Sequence, residues 1–140
     1  MTKSSLIVPR PTESELELLS ILWEREPATV RDIYDSLNRE RASGYTTVLK
    51  LLQIMTTKGL VTRDETSRAH LYRAAISQEE MQNKFLKDLS VRLFAGSATQ
   101  LALHALAMEP TSARELEEIR ALIEQKRTSS SVSSLRNGKA

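Results

Sequence analysis

No cysteine occurs among the 140 residues of this chain. A disulfide framework and a thiolate metal site are therefore excluded, since both require the Cys sulfur. Long apolar runs are missing as well. Leu6-Ile7-Val8 is ended by Pro9 and is too short for a signal-peptide core or a membrane span. No other stretch reaches spanning length without a charge, so the sequence predicts a cytoplasmic protein. Clustered acid–base chemistry is also lacking. Ser43, Tyr45, Thr46 and Thr47 have no base or acid partner in sequence that would make a nucleophile. The acid pairs Glu79-Glu80 and Glu117-Glu118 fall in helix first turns or on solvated faces. His70 and His104 stand without a second His or carboxylate at metal spacing. No metal, no cofactor and no enzymatic activity is expected. One further absence is local: no Asp or Glu lies between Arg41 and Arg63.

Within that acid-free window, residues 45–61 read YTTVLKLLQIMTTKGLV. Val48, Leu51, Leu52 and Met55 follow the spacing of one buried helical stripe. Thr46, Lys50, Gln53 and Thr57 fall on another face. Short polar side chains with one cation can approach phosphates and base edges without burying a carboxylate. Lys58-Gly59 supplies a cation near the negative end of the helix dipole and then a left-handed cap. Two short strand-like runs follow at 60–63 and 70–73, separated by the polar turn Asp64-Glu65-Thr66-Ser67-Arg68. A helix followed by strand, polar tip and strand is the layout of a winged helix, with Arg63, Arg68 and Arg73 on the wing. An amphipathic core helix and an ordinary hairpin would give the same pattern.

Upstream residues favour the winged helix. Thr12-Glu13-Ser14-Glu15 is a capping box opening a helix through Glu24, with Leu16, Leu19, Leu22 and Trp23 inward and Pro27 as breaker. Thr29-Val30-Arg31-Asp32 repeats the cap, and Val30, Ile33, Tyr34 and Leu37 form a second stripe. A link from Glu40 to Gly44 leads to the third helix. Three short helices and a hairpin make a helix-turn-helix with a wing. Thr46, Thr47, Lys50 and Gln53 are the candidate groove residues, and Arg63, Arg68 and Arg73 the candidate backbone contacts. Charge is distributed to match. From Arg39 to Arg73 seven Lys/Arg face three acids, a local balance of +4 in a chain of net charge +2. The remainder is net negative, an asymmetry suited to a phosphate-facing surface.

The second half changes character. Ser77-Gln78-Glu79-Glu80 caps a helix with Met81, Phe85, Leu89 and Leu93 on one face, ended by Gly96-Ser97. Residues 98–108 are apolar almost all round, with Leu101, Leu103 and Leu106 among them. Such a helix must be buried, yet the segment is too small to bury it alone. A two-fold partner is the simplest solution, with packing back on the N-terminal half as the alternative. Ser112-Ala113-Arg114-Glu115 caps a last helix with Leu116, Ile119, Leu122 and Ile123 inward. Phe85, Leu89, Leu101, Leu103, Leu106, Leu116, Ile119 and Ile123 are the candidate dimerisation residues. His104 is expected as a satisfied interface histidine. The fold class is thus mainly α, divided into a flexible arm (1–10), a winged-helix DNA-binding domain (11–75), a helical dimerisation domain (76–127) and a Ser-rich disordered tail (128–140).

A family resemblance rests on several motifs in order: Glu15-Leu16-Glu17-Leu18-Leu19 with Ile21-Leu22-Trp23, then Val30-Arg31-Asp32-Ile33, Tyr45-Thr46-Thr47-Val48, Lys58-Gly59-Leu60-Val61, and Arg68-Ala69-His70-Leu71-Tyr72. Residues 12–73 resemble the penicillinase-repressor and methicillin-resistance-repressor family of bacterial transcription regulators, and the similarity runs more weakly to about residue 127. The resemblance implies a homodimeric repressor on a palindromic operator, released in many members when a membrane-bound metalloprotease sensor is triggered. In the antibiotic-resistance members an Asn-Phe bond in the helix matching 98–108 is cut, whereas His104-Ala105 stands there in this chain. The copper-responsive branch binds metal through cysteines, which this chain lacks. The alternative function is a winged helix used for protein contact without specific DNA binding; the cationic, acid-free stretch and the wing arginines argue against it.

Overall fold

Thr12 opens the first helix by a reciprocal exchange: Glu15 N–H donates to its Oγ1 at 3.2 Å, and Thr12 N–H donates to Glu15 Oε1 at 2.9 Å. The computed structural model describes residues 10–37 and 44–137. The expected flexible arm (apart from Arg10), Arg39, the link from Glu40 to Ser43 and residues 138–140 lie outside them. Among the described residues, α1 spans Glu13–Glu24, α2 Val30–Ser36, α3 Tyr45–Lys58, β1 Val61–Asp64, β2 Leu71–Ala74, α4 Gln78–Leu93, α5 Ala98–Met108 and α6 Ala113–Asn137. Thr29 and Asp32 form the same reciprocal cap on α2, at 3.0 Å in each direction. Satisfying two free amides at once is why these short helices start where they do. No helix among the described residues is long and apolar enough to cross a membrane.

The chain divides into two compact units, residues 1–86 and 87–140. In the first, Leu18, Leu19 and Leu22 of α1 meet Ile33 of α2, Val48, Leu52 and Met55 of α3, and Val61 and Tyr72 of the hairpin in one buried core. The α3 stripe is therefore the core-facing side, with Leu51 at its half-buried edge. α3 ends at Gly59, whose φ of 84° is the left-handed region that glycine enters without steric cost. Leu60 N–H closes the end on the Met55 carbonyl at 2.9 Å.

β1 and β2 pair antiparallel with Val61 opposite Ala74, Thr62 opposite Arg73, Arg63 opposite Tyr72 and Asp64 opposite Leu71. Both strands sit one residue later than the hydrophobic runs suggest. A third segment joins them: Ala28 exchanges both backbone hydrogen bonds with Tyr72, at 3.1 and 2.8 Å. The Glu26 carboxylate accepts Ala74 N–H at 2.7 Å.

Two domain expectations differ from the observed arrangement. The first unit does not stop at residue 75. Ile76 and Met81 are buried in its core, and Trp23 Nε1–H donates to the Ile76 carbonyl at 2.9 Å. Phe85, expected in a dimer seam, packs against this same core with the Arg10 guanidinium 5.0 Å from its ring centroid. The cause is that Met81 and Phe85 lie one turn apart and cover the open end of the N-terminal core. The last helix continues to Asn137, through residues 128–137 of the tail expected to be disordered. Extending an existing helix adds one hydrogen bond per residue fixed, so it tolerates serines that would not nucleate one.

In the second unit Ala95 and Gly96, with φ of 50° and 84°, end α4 in left-handed backbone. Ser97 then caps α5 by accepting Gln100 N–H at 3.0 Å. Ser112 and Glu115 form a reciprocal cap on α6, at 3.0 and 3.1 Å. An open groove of about 490 Å³ is lined by Leu106, Ile119 and Leu122 together with Glu109, Glu115 and Glu118.

Candidate nucleic-acid interface

The side of α3 opposite the core carries the polar row. Thr46, Lys50, Gln53 and Thr57 lie within about 60° of one another around the helix axis at 3.6 residues per turn. All four are exposed, as is Thr47 at the edge of the row. Thr57 Oγ1 donates to the Gln53 carbonyl at 3.2 Å, a local bond that occupies its hydroxyl. The side chains of Thr46, Thr47, Lys50 and Gln53 have no hydrogen-bond or ion-pair partner among the described residues. Four unengaged groups of mixed donor and acceptor character on one exposed ridge are suited to reading base edges. Ile54, 42% exposed beside Lys50, adds an apolar element to that ridge.

At the start of α3 the N-cap is Gly44, which provides no side-chain acceptor, and the first turn carries no acid. Its outward-facing end is therefore electropositive. Beside it, Arg31 of α2 lies over two tyrosine rings, 5.8 Å from the Tyr34 centroid and 5.1 Å from that of Tyr45. The rings themselves meet edge-on at 5.8 Å. Sequence reasoning passed over this cluster. Arg31 and Tyr34 share a helix face at i, i+3, but Tyr45 joins them only through the packing of α2 on α3.

Lys58 belongs elsewhere. Its ammonium donates to Glu15 Oε1 at 2.7 Å, and Glu15 is 2% exposed. Burial acts to raise the Glu15 pKa, but hydrogen bonds from Lys58 and from the Thr12 amide outweigh it and hold the carboxyl below its ordinary value. Lys58 thus ties the end of α3 to the first turn of α1, and the local positive balance available to a partner is smaller than composition suggests.

The hairpin separates the wing arginines. Opposite residues on paired strands share a face, and successive residues alternate. Arg63 therefore shares the face of buried Tyr72 and Val61, while Arg73 shares that of exposed Thr62. Arg63 is held by the Tyr72 hydroxyl and by Glu65, which raise its pKa further. Arg68 and Arg73 are exposed and make no ion pair among the described residues. The tip is ordered by Asp64, whose Oδ1 accepts the Thr66 amide at 2.9 Å and hydroxyl at 2.8 Å. Those bonds, with Arg73 nearby, lower its pKa. His70 is exposed on the wing.

The expected dimerisation residues other than Phe85 lie on α4, α5 and α6. Leu89, Leu103, Leu106, Leu116 and Ile123 are 40–54% exposed, and Leu101 and Ile119 are half-buried. α5 has no buried residue at all. His104 is exposed; its Nδ1 lies 3.1 Å from the Gln100 carbonyl and its ring meets Phe94 edge-on at 5.2 Å.

Residues 11–125 match the penicillinase repressor family. The chain is 22% identical over 115 residues to the methicillin resistance regulatory protein MecI of Mammaliicoccus sciuri, covering 82% of this chain and 94% of that protein. It is 32% identical over 90 residues to the transcriptional regulator BlaI of Mycobacterium tuberculosis, covering 64% of this chain and 65% of that protein. The solution structure of the DNA binding domain of the repressor BlaI superposes with a TM-score of 0.47 at 18% identity, over 53% of this chain and 90% of that one. A helix-turn-helix with a wing, followed by a helical unit and matched over residues 11–125, places this chain in the penicillinase repressor family, to which it belongs.

Proposed function

We propose that this chain is a sequence-specific transcriptional repressor that binds a palindromic operator as a homodimer. The observation that carries the DNA assignment is the exposed row of Thr46, Thr47, Lys50 and Gln53 on α3, whose side chains have no partner among the described residues. α3 lies in the major groove with these residues on base edges, and Arg68 and Arg73 meet the phosphate backbone. Arg63, engaged by Tyr72 and Glu65, stabilises the wing instead. Such a protein acts in the cytoplasm, where its operator lies. The homodimer is supported by α5, an apolar helix with nothing buried. Leu89, Leu101, Leu103, Leu106, Leu116, Ile119 and Ile123 supply its seam, and the half-sites are spaced by about one helical turn of DNA or a multiple of it.

Sequencing genomic DNA captured on the full-length protein tests this reading and gives the operator. Lys50→Ala then weakens operator binding by about 1–3 kcal/mol with relaxed specificity at one position if Lys50 reads a base. If it holds only a phosphate, the loss is uniform across sequences and the salt slope falls by about one. Unchanged affinity and unchanged salt dependence would remove α3 from the interface.

Release follows from the same architecture. A cut within residues 96–110, nearly all exposed, divides the apolar surface and leaves a monomer with one half-site contact. A membrane-bound metalloprotease sensor is the partner that family membership suggests. Immunoblotting the full-length chain during induction decides: derepression with the chain uncut assigns release to a ligand or another partner.

A further inference from the structure

We propose that Arg31 is an additional DNA-backbone contact, and that Tyr34 and Tyr45 act on it as positioning residues. This rests on the DNA-binding reading above. The carrying observation is the side-chain cluster. Arg31 is exposed, yet its guanidinium lies over two aromatic rings, at 5.8 and 5.1 Å from their centroids. Arg31 makes no ion pair among the described residues. Asp35 is one helical turn away on α2, in position for an i, i+4 pair that does not form. Asp32, the next residue, is engaged by the Thr29 amide at 3.0 Å and by Arg25 at 3.6 Å. Among the described residues no acidic side chain therefore pairs with Arg31.

Aromatic contact occupies the flat faces of a guanidinium and leaves its N–H edge open. A side chain that ordinarily loses several rotors on binding is here ordered beforehand, so less entropy is lost when it engages an anion. The edge pattern suits a phosphodiester, which accepts two parallel N–H bonds. Position agrees with chemistry. Tyr45 is the first residue of α3 and directly precedes Thr46 and Thr47 of the reading ridge. A cation on that ring stands beside the groove-facing residues, where the sugar-phosphate wall of a major groove passes. Tyr45 is 40% exposed, so the rings do not bury Arg31 away from a ligand.

The test uses the full-length chain with two duplexes, the captured operator and a random sequence. A phosphate contact carries no sequence information, so Arg31→Ala should weaken both duplexes by the same factor. The slope of log affinity against log salt should fall by about one per protomer. Arg31→Lys should keep the slope while losing part of the affinity, because the charge stays and the fork is lost. Replacing the contacted phosphate by a neutral methylphosphonate should weaken wild type and leave Arg31→Ala unaffected. Tyr34→Leu should weaken binding in the wild-type background and add nothing in Arg31→Ala. Urea unfolding of each variant separates a purely structural role, which would move stability and leave the salt slope in place.

An Arg31→Ala chain with wild-type affinity and slope overturns this proposal alone while the DNA reading stands. A wild-type chain that binds neither duplex overturns both. Equal losses from Tyr34→Leu with and without Arg31 overturn the positioning role.

Discussion

Removing Lys58 should cost more stability than neutralising Glu15, although both changes break the same ion pair. The Glu15 side chain is 3% exposed and that of Lys58 25% exposed. Glu15 Oε1 accepts from the Thr12 amide at 2.9 Å and from Lys58 Nζ at 2.7 Å. In Lys58→Met the aliphatic stem is kept, but a buried carboxylate retains only its Thr12 cap. Breaking a fully buried pair from one side costs about 3–5 kcal/mol. Here the ammonium occupies a partly wet position that water can refill, which brings the expected loss to about 1–3 kcal/mol. In Glu15→Gln the amide oxygen still caps Thr12, and the freed ammonium can turn to solvent. The loss there is about 0.5–1.5 kcal/mol, and the double variant loses less than the sum.

Trp23 is the chain's one tryptophan and packs within the first unit, so its fluorescence reports the relevant transition. Urea titrations at one protein concentration keep any dimer contribution constant. The acid limb provides a second check. The Glu15 pKa is lowered in the folded chain, so its contribution is present above the unfolded value of about 4.3 and is lost as pH falls through the folded value. In Lys58→Met, burial meets less opposition and the carboxyl pKa rises. The gap between wild type and variant should therefore close in acid. A Lys58→Met protein as stable as wild type at neutral pH, or one less damaged than Glu15→Gln, would refute this account of how α3 is anchored.

Gly59→Ala should cost about 1–2 kcal/mol by the same fluorescence assay, purely as backbone strain; a Cβ there meets nothing within 4 Å at φ +84°. Leu103→Asp should sediment as a monomer with collapsed operator affinity while the Trp23 transition stays in place, because Leu103 is 54% exposed within one chain and a carboxylate buried in the proposed dimer costs several kcal/mol. Arg73→Ala should lower the salt slope of DNA binding by about one per protomer without loss of stability. Arg63→Ala should do the reverse, since its guanidinium is held by Tyr72 and Glu65.

What the sequence disclosed was local. Thr12 with Glu15 and Thr29 with Asp32 are three residues apart, and a capping box needs nothing else. Gly59 after a polar, stripe-bearing helix names its own conformation. The contacts it concealed span the chain: Glu15 to Lys58 across 43 residues, Glu26 to Ala74 across 48 and Trp23 to Ile76 across 53. None has a periodic signature, because each depends on how finished elements dock. β1 and β2 both begin one residue later than the runs at 60–63 and 70–73; because the two strands move together, the parity of the pairing is the same in either placement. The three wing arginines looked equivalent as a list; the register turns Arg63 and Arg73 to opposite sides.

Phe85 and α5 expose a second limit of pattern reasoning. An apolar stripe reports that a face is covered and is silent on what covers it. Met81, Phe85 and Leu89 continue one stripe along α4, yet Met81 is 4% exposed and Leu89 40% exposed, with Phe85 intermediate. The stripe thus changes function along its length, from closing the N-terminal core to presenting an apolar surface. α5 is the extreme case: its composition demands burial, and no residue in it is buried within one chain. Selection for solubility does not maintain such a helix bare. Its hydrophobic pattern describes a core. In the proposed homodimer a second copy completes that core, so the folding of the second unit and the number of half-sites contacted on DNA should rise and fall together.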